Sequence, residues 1–203
     1  MTTEGGPFEA IVLAAGAGRR FGGAKLTSTW RGGRLIDGAL GAALSAPVAR
    51  VLVVTGADPD VATAARAFGQ ARGGAKPLAV VHAADHDLGL SASLRAGFAA
   101  IDARSRGAFL FLGDMPLVPH DIAAKLADVL KGDVLAAAPG CQGRRGHPAL
   151  FARALFGSIA ELRGDQGARR ILDRLGERLA LVDTTDTGVL VDIDAPGDLI
   201  RLQ

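Results

Sequence analysis

The chain has 203 residues, a formal net charge of +2 and 49% hydrophobic side chains, which suits one sizeable core in a single domain over residues 1–203. The hydrophobic content excludes a disordered chain, and the nearly balanced charge argues against a nucleic-acid-binding protein. No apolar run of the sequence is long enough to cross a membrane.

Apolar runs of strand length alternate with amphipathic, alanine-rich segments over the first two thirds of the chain. The predicted strands are Ala10–Ala14, Val51–Thr55, Leu78–His82, Ala108–Leu112 and Val134–Ala138. The predicted helices are Leu35–Ser45, Pro59–Ala71, Ser91–Arg104 and Pro119–Leu130. Because the strands are continuously apolar, both faces of their sheet should be covered. The fold class we predict is α/β, with a mostly parallel, doubly wound, Rossmann-like sheet.

The pattern changes after Pro139. Gly140–Pro148 is rich in glycine and arginine and is typical of a loop. Later strands are predicted over His147–Phe151, Leu179–Val182 and Thr187–Ile193, and later helices over Ala152–Leu162, Gly167–Leu175 and Pro196–Leu202. We expect residues 1–7 to form a loose tail.

The first residues and the cysteine content bear on the cellular compartment. Residues 1–9 carry no basic stretch followed by an apolar run, so we expect no signal peptide. The single cysteine, Cys141, cannot form an internal disulfide, which fits a reducing environment. We therefore predict a cytoplasmic protein.

A glycine-rich loop, residues 16–25, follows the first predicted strand directly. Glycines let the backbone approach a ligand and turn its N–H groups toward an anion. Lys25 ends the loop with a compact charge suited to a phosphate oxygen. A Rossmann fingerprint needs glycine where Phe21 stands, and a P-loop needs a hydroxyl residue where Leu26 stands, so the loop is neither. From the glycines alone, a plain strand-to-helix turn is an equally good interpretation.

An acidic residue, Asp114, directly follows the predicted strand Ala108–Leu112. It should therefore project from the carboxyl edge of the sheet, which also carries the glycine loop. A carboxylate at that edge can hold Mg²⁺ against a polyphosphate. Taken alone, an aspartate-initiated turn before Pro116 is the better explanation.

A second acidic cluster lies near the end of the chain. If Val189–Ile193 is a strand, Asp192 and Asp194 share one face with Leu190. Asp194 is also well placed to cap the last helix, whereas Asp192 has no such local use. Asp192 is therefore our choice for a second metal ligand.

Six segments of the chain, in this order, resemble nucleotidyltransferases related to the molybdenum-cofactor nucleotide enzymes, over about residues 10–200. The segments are Leu13-Ala14-Ala15-Gly16-x-Gly18-x-Arg20-Phe21-Gly22-x-x-Lys25, Gly89-Leu90-Ser91-Ala92-Ser93-Leu94, Gly113-Asp114-Met115-Pro116, Gly143-Arg144-Arg145-Gly146-His147-Pro148 with Gly164-Asp165-Gln166-Gly167-Ala168-Arg169, and Asp192-x-Asp194-Ala195-Pro196-x-Asp198-Leu199. The chain departs from the family where Gly18 replaces a frequent serine, where Ala83-Ala84 replaces Asn-Pro and where Ala195 replaces threonine.

The resemblance implies a set of site residues. Nucleotide-binding positions would be Leu13, Ala14, Ala15, Gly16, Gly18, Arg20, Gly22, Lys25 and Gly113. Catalytic positions would be Arg20, Lys25 and Asp114, with Mg²⁺ held by Asp114 and Asp192. Acceptor-binding positions would be Ser91, Ser93, Arg144, Arg145, His147 and Asp165. From the residues alone, helix capping is the better explanation for Ser91, Ser93 and Asp165, a solvated turn explains Arg144 and Arg145, and a lone histidine such as His147 is more often structural.

The resemblance also implies an activity, the joining of CMP from CTP to the phosphate of the molybdopterin cofactor with release of pyrophosphate. Ala14-Ala15-Gly16 is similar to the cytidine-using branch, whereas the guanosine-using branch has Ala-Gly-Gly. The expected partners are CTP, the phosphorylated pterin and a molybdenum-hydroxylase apoenzyme, with no nucleic acid and no membrane. The alternatives are an enzyme that uses GTP or a sugar-phosphate acceptor, and a cofactor-binding chaperone without catalytic activity.

Overall fold

The computed structural model describes residues 6–74 and 76–202, and in this part of the chain eight strands form one sheet flanked by helices. The strands are β1 (Phe8–Ala14), β2 (Thr29–Trp30), β3 (Gly33–Arg34), β4 (Val48–Thr55), β5 (Leu78–His82), β6 (Gly107–Leu112), β7 (Ala136–Cys141), β8 (Arg144–Arg145), β9 (Ala149–Ala152) and β10 (Leu179–Asp183), of which β2 and β3 form a separate hairpin. The helices are α1 (Leu35–Ser45), α2 (Asp60–Ala71), α3 (Leu90–Ala99), α4 (Ile122–Val129), α5 (Phe156–Ala160), α6 (Arg169–Leu172) and α7 (Pro196–Arg201).

The sheet is mostly parallel, as predicted. Its strand order is β10-β7-β9-β6-β1-β4-β5, with β8 paired to β7. Only β9 and β8 run antiparallel to their neighbours within the described residues. The carboxyl ends of β1, β4, β5, β6, β7 and β10 therefore meet at one edge of the sheet, where open α/β folds bind their ligands.

Strand β1 shows why residues 10–14 are all apolar. Phe8, Ala10 and Val12 pack into a core with α1, α2 and α4, whereas Ile11 and Leu13 face a second core with α3, α5 and α6. Adjacent residues of a strand point to opposite faces, so a sheet covered on both sides needs apolar residues in succession. The predicted two-sided coverage is confirmed.

Several helices are shorter in the structure than the sequence predicts. The helix predicted over Ser91–Arg104 ends at Ala99, because the chain turns there and the Asp102 N–H donates to Glu9 Oε1 at 3.2 Å. Residue 152 belongs to β9, so the helix predicted over 152–162 reduces to α5 and a preceding 3₁₀ turn. The helix predicted over 167–175 reduces to α6 for lack of continuous i to i−4 hydrogen bonds.

The segment before the last helix also differs from prediction. Thr187–Leu190 is a 3₁₀ turn that Asp186 caps through Gly188 N–H, and no strand spans Thr187–Ile193 in the described chain. The shared-face argument for Asp192 is therefore wrong. The cap predicted for Asp194 is wrong too, because Asp198 accepts the N–H groups of Asp194 and Ala195 at 3.0 and 2.8 Å.

The segment predicted as a loop over Gly140–Pro148 is instead a tight hairpin of β7 and β8. Gly140 pairs with Arg145, and the turn is made by Gln142 and Gly143 at φ values of 51° and 72°. This pairing fixes the direction of the arginine-rich segment relative to the sheet.

Two further expectations concern the ends of the chain and the membrane. Of the predicted tail, residues 1–5 lie outside the described residues, whereas Pro7 O accepts the Arg106 N–H at 3.1 Å. Across the described residues, no helix combines the length and apolar character that a membrane span requires.

Candidate active site at the carboxyl edge of the sheet

Lys25 joins segments that are far apart in the sequence. Its Nζ donates to Asp114 Oδ2 at 2.7 Å and to the Ile193 carbonyl at 2.8 Å, and lies 3.8 Å from Asp194 Oδ1. The Lys25 side chain is only 14% exposed. The glycine loop, the segment after β6 and the second acidic cluster therefore meet at one buried charge, as a common sheet edge predicts.

Arg20 reaches the same place from the surface. Its NH1 group donates to Asp194 Oδ2 at 2.8 Å, and its side chain is 82% exposed. An ion pair this exposed contributes little to stability, so an anionic ligand can replace Asp194 as the partner of the guanidinium. Arg20 and Lys25 thus supply two positive charges beside Asp114.

The backbone of the glycine loop explains its composition. Gly18 adopts φ = +58° and its carbonyl accepts the N–H groups of Phe21 and Gly23 at 2.9 and 3.2 Å. A Cβ at Gly18 would lie 3.2 Å from Lys25 Cβ, which suits glycine where the family often has serine. Gly16 and Gly22 face open space, so a ligand can approach their backbone.

Asp114 is held by backbone contacts on both sides. The Gly113 N–H donates to Leu13 O at 2.9 Å, and a Cβ at Gly113 would lie 3.1 Å from that oxygen. The Asp114 carbonyl accepts the Ile193 N–H at 3.0 Å. These bonds fix the aspartate between the first strand and the second acidic cluster.

The imidazole of His147 lies near both predicted metal ligands. Burial lowers the pKa of His147, while the Leu110 backbone and the carboxylates of Asp114 and Asp192 oppose that shift. Its Nδ1 is buried and has no hydrogen-bond partner among the described residues. The His147 ring therefore brings a buried nitrogen without a partner among the described residues into the neighbourhood of the predicted metal ligands.

A cavity of about 790 Å³ opens at the same edge of the sheet, and its lining includes none of Arg20, Lys25, Asp114 and Asp192. Leu13 and His147 line its side nearest Asp114, and leucines of β6, α3 and β10 make much of its wall. Of the residues predicted to bind the acceptor, Arg144, Arg145 and His147 line the cavity. A cavity of this size holds a drug-sized molecule.

Arg145 is oriented by an acidic partner. Its NH2 group donates to Asp173 Oδ1 at 2.6 Å, and this hydrogen bond lowers the pKa of Asp173. The Arg145 side chain is 20% exposed, whereas Arg144 is exposed. The cavity therefore has one fixed and one solvent-facing guanidinium.

The other predicted acceptor residues lie elsewhere. Ser91 is fully buried, its hydroxyl accepts from Arg95 at 3.1 Å, and its N–H donates to Gly164 O at 3.0 Å. Ser93 is 4% exposed, and Asp165 lies over Gly89. None of the three lines the cavity in the described structure.

Two of the predicted nucleotide-binding residues are also buried. Ala14 and Ala15 are 2% and 5% exposed, and Ala15 packs in the core that contains Leu94. The methyl group of Ala15 therefore presents little surface to a base. Its carbonyl is also engaged, because it accepts the Ala57 N–H at 3.3 Å.

Sequence reasoning missed two charged residues of the cavity wall, Asp173 and Asp183. Asp173 lies four residues after Arg169, which belongs to a family-like segment, and this spacing of neighbours on one helical face was a usable signal. Asp183 ends the edge strand β10 and lies outside every segment that resembles the family.

The donor set fits a hard divalent cation. Asp114 Oδ1 has no hydrogen-bond partner among the described residues, and Asp192 is exposed. The described residues contain no cluster of three or more histidine, cysteine or acidic side chains suited to a metal. Mg²⁺ is usually held by one or two carboxylates, with substrate phosphates and water completing its shell.

Comparison with known proteins gives matches over most of the chain. Residues 10–179 match the family described as the MobA-like NTP transferase domain. The chain is 27% identical over 192 residues to the molybdenum cofactor cytidylyltransferase of Escherichia coli K12, which covers 95% of this chain and 93% of that protein.

Solved structures give matches of similar extent. The crystal structure of Rv0371c from Mycobacterium tuberculosis H37Rv has a TM-score of 0.79 and 26% identity, covering 100% of this chain and 98% of that chain. The structure of that protein in complex with manganese has a TM-score of 0.72 and 26% identity, over 97% of each chain.

Proposed function

Because the chain belongs to the MobA-like NTP transferase domain family and is a nucleotidyltransferase, we propose that it joins CMP from CTP to the phosphate of the molybdopterin cofactor. The second product is pyrophosphate, and the reaction depends on Mg²⁺. The observation that carries this proposal is the convergence of Lys25, Asp114 and the Ile193 carbonyl beside a cavity of about 790 Å³.

The chemistry needs positioning more than a protein nucleophile. An oxygen of the acceptor phosphate attacks the α-phosphorus of CTP and forms a new oxygen–phosphorus bond. The bond between the α-phosphorus and its bridging oxygen breaks, and the electron pair leaves with pyrophosphate. A phosphate monoester is already a usable nucleophile, so catalysis rests on orientation and charge neutralisation.

Each part of the site has a role in this proposal. The glycine loop presents backbone N–H groups, and Lys25 and Arg20 hold the β and γ phosphates of CTP. Asp114 and Asp192 would hold the divalent cation, which when bound neutralises phosphate charge. Arg144 and Arg145 orient the acceptor phosphate in the cavity.

A nucleotide and acceptor panel tests the proposed function. The melting temperature of the protein with Mg²⁺ should rise most with CTP among the four nucleoside triphosphates. Pyrophosphate release should require CTP together with the phosphorylated pterin. Release with GTP or with a sugar phosphate instead would assign a different substrate, and binding without release would indicate a chaperone.

Replacing Lys25 with methionine should weaken CTP binding and also slow turnover, each by about tenfold or more, because negative charge grows on the departing pyrophosphate. Calorimetric titration with CTP and steady-state kinetics measure the two effects. Lys131→Met, a change at an exposed lysine, is the control. Unchanged affinity and turnover in Lys25→Met would remove Lys25 from the triphosphate site.

Replacing both Arg144 and Arg145 with alanine should raise KM for the pterin about tenfold and leave KM for CTP nearly unchanged. A guanidinium grips a phosphate through two parallel hydrogen bonds, which alanine cannot replace. Kinetics with each substrate varied in turn measure the split, with the exposed Arg66→Ala on α2 as the control. Equal and small effects on both KM values would make the hairpin a surface turn.

A further inference from the structure

An exposed acidic side chain with no protein partner among the described residues lies on the wall of the cavity. Asp183 ends the edge strand β10 and lines the cavity. No hydrogen bond or ion pair joins its carboxylate to any other residue of the described chain. Asp173, also on the cavity wall, is bonded to Arg145 at 2.6 Å. Asp183 is therefore the carboxylate that remains available to a ligand in this cavity.

The neighbouring strand fixes where this carboxylate stands. Asp183 pairs with Gly140 of β7, and the Thr184 N–H donates to Gly140 O at 2.9 Å. A Cβ at Gly140 would lie 3.2 Å from Asp183 Oδ1 and 3.8 Å from Leu181 Cβ. The carboxylate thus lies over the bare Cα of Gly140, with Leu181 beside it.

Leu181 gives β10 an apolar surface next to that charge. Residues two apart on a strand share one face, so Leu181 and Asp183 face the same way, and both line the cavity. Leu181 is 55% exposed, so its side chain is open to a ligand in the cavity. On β10, the Leu181 side chain can therefore contact the face of a flat ring, and the Asp183 oxygens can accept hydrogen bonds from the edge of that ring.

The distance to the reacting centre suits a long acceptor. Asp114 follows β6 and Asp183 ends β10, and β9 and β7 lie between these strands. Three interstrand intervals of about 4.8 Å separate the two carboxylates by roughly 14 Å along the sheet edge. A fused three-ring pterin with its phosphate on a side arm has a comparable reach, and Arg144 and Arg145 lie between its two ends.

We propose that Asp183 recognises the pyrimidine edge of the pterin acceptor, an inference that rests on the proposed function. That edge carries a ring N–H beside an exocyclic amino group. The two oxygens of a carboxylate accept this donor pair through parallel hydrogen bonds. Guanine carries the same donor pair, whereas cytosine does not. The Asp183 carboxylate could therefore also accept hydrogen bonds from GTP. The placement of Asp183 beyond the arginines assigns it to the acceptor.

Binding of small pteridines tests this proposal without turnover. The probes are pterin and lumazine, which has an oxygen in place of the exocyclic amino group of pterin, and both are followed by their fluorescence. The wild-type protein should bind the pterin about tenfold more tightly than lumazine. Asp183→Asn should lose about tenfold in pterin affinity and lose the preference over lumazine.

The controls separate this inference from the proposed function. Asp128→Asn changes an exposed aspartate of α4 and should behave as wild type, and the affinity for CTP should stay the same in both variants. Wild-type pterin affinity in Asp183→Asn would overturn the role of Asp183 and leave the proposed function intact. Weaker GTP binding with unchanged pterin binding would also overturn it. If the wild type binds neither probe, the pterin acceptor is wrong and this inference falls with it.

Discussion

Replacing Asp114 with asparagine is expected to lower kcat by about a hundredfold or more, while the protein remains folded. The variant keeps the shape of the side chain and one hydrogen-bond acceptor for Lys25, but it removes the negative charge proposed to hold the metal. Loss of one major electrostatic element of an active site has effects of this size. Pyrophosphate release at saturating CTP and pterin, over a range of Mg²⁺ concentrations, measures the effect.

Asp128→Asn provides the matched control for Asp114→Asn, since it removes the same charge from an exposed position on α4. Its kcat should equal that of the wild type. Near-normal turnover of Asp114→Asn at high Mg²⁺ would contradict the metal assignment. A lower melting temperature of Asp114→Asn would point to a structural role for the Lys25–Asp114 pair instead.

Replacing Glu9 with alanine is expected to lower the free energy of unfolding by about 2–4 kcal/mol, because it leaves the Arg50 guanidinium, 33% exposed, and the buried Ser105 hydroxyl without their acceptor. Glu9 is 3% exposed on β1, and its Oε2 accepts from Arg50 at 2.7 and 3.1 Å. Its Oε1 accepts from the Ser105 hydroxyl at 2.8 Å and from the Asp102 N–H at 3.2 Å. Urea denaturation measures the change.

Glu177→Ala removes an exposed glutamate and should change the free energy of unfolding by less than about 0.5 kcal/mol. The Glu9 network lies at the end of the sheet opposite the proposed site, so kcat of the folded Glu9→Ala variant should be close to wild type. A stability loss no larger than that of Glu177→Ala would show that Glu9 is dispensable to the core.

The sequence predicted the parts of the fold that follow from local patterns. Continuous apolar runs indicated strands covered on both faces, and the alternation of cores along β1 bears this out. Because parallel strands end at one edge, the sequence also predicted that the glycine loop and Asp114 would meet. The structure shows this contact between Lys25 Nζ and Asp114 Oδ2 at 2.7 Å.

What the sequence did not predict depends on contacts between distant residues. Glu9 lies just before the predicted strand Ala10–Ala14, and nothing local indicated its burial, since its partners stand about 40 and 100 residues away. Asp194 resembled a helix cap, but Asp198 takes that role and Asp194 turns to Arg20. Ser91 was a candidate helix cap or anion-binding residue, but its hydroxyl accepts a hydrogen bond from Arg95, one turn later in the same helix.

Following a label from the α-phosphate of CTP tests the central claim most directly. We expect the label to move to the phosphorylated pterin when Mg²⁺ is present, one labelled CMP for each pyrophosphate, with the pyrophosphate itself unlabelled. Mass spectrometry of the labelled product should find CMP joined to the pterin phosphate. Label that stays in CTP under these conditions, while the same protein transfers GMP or uses a sugar phosphate, would contradict the account.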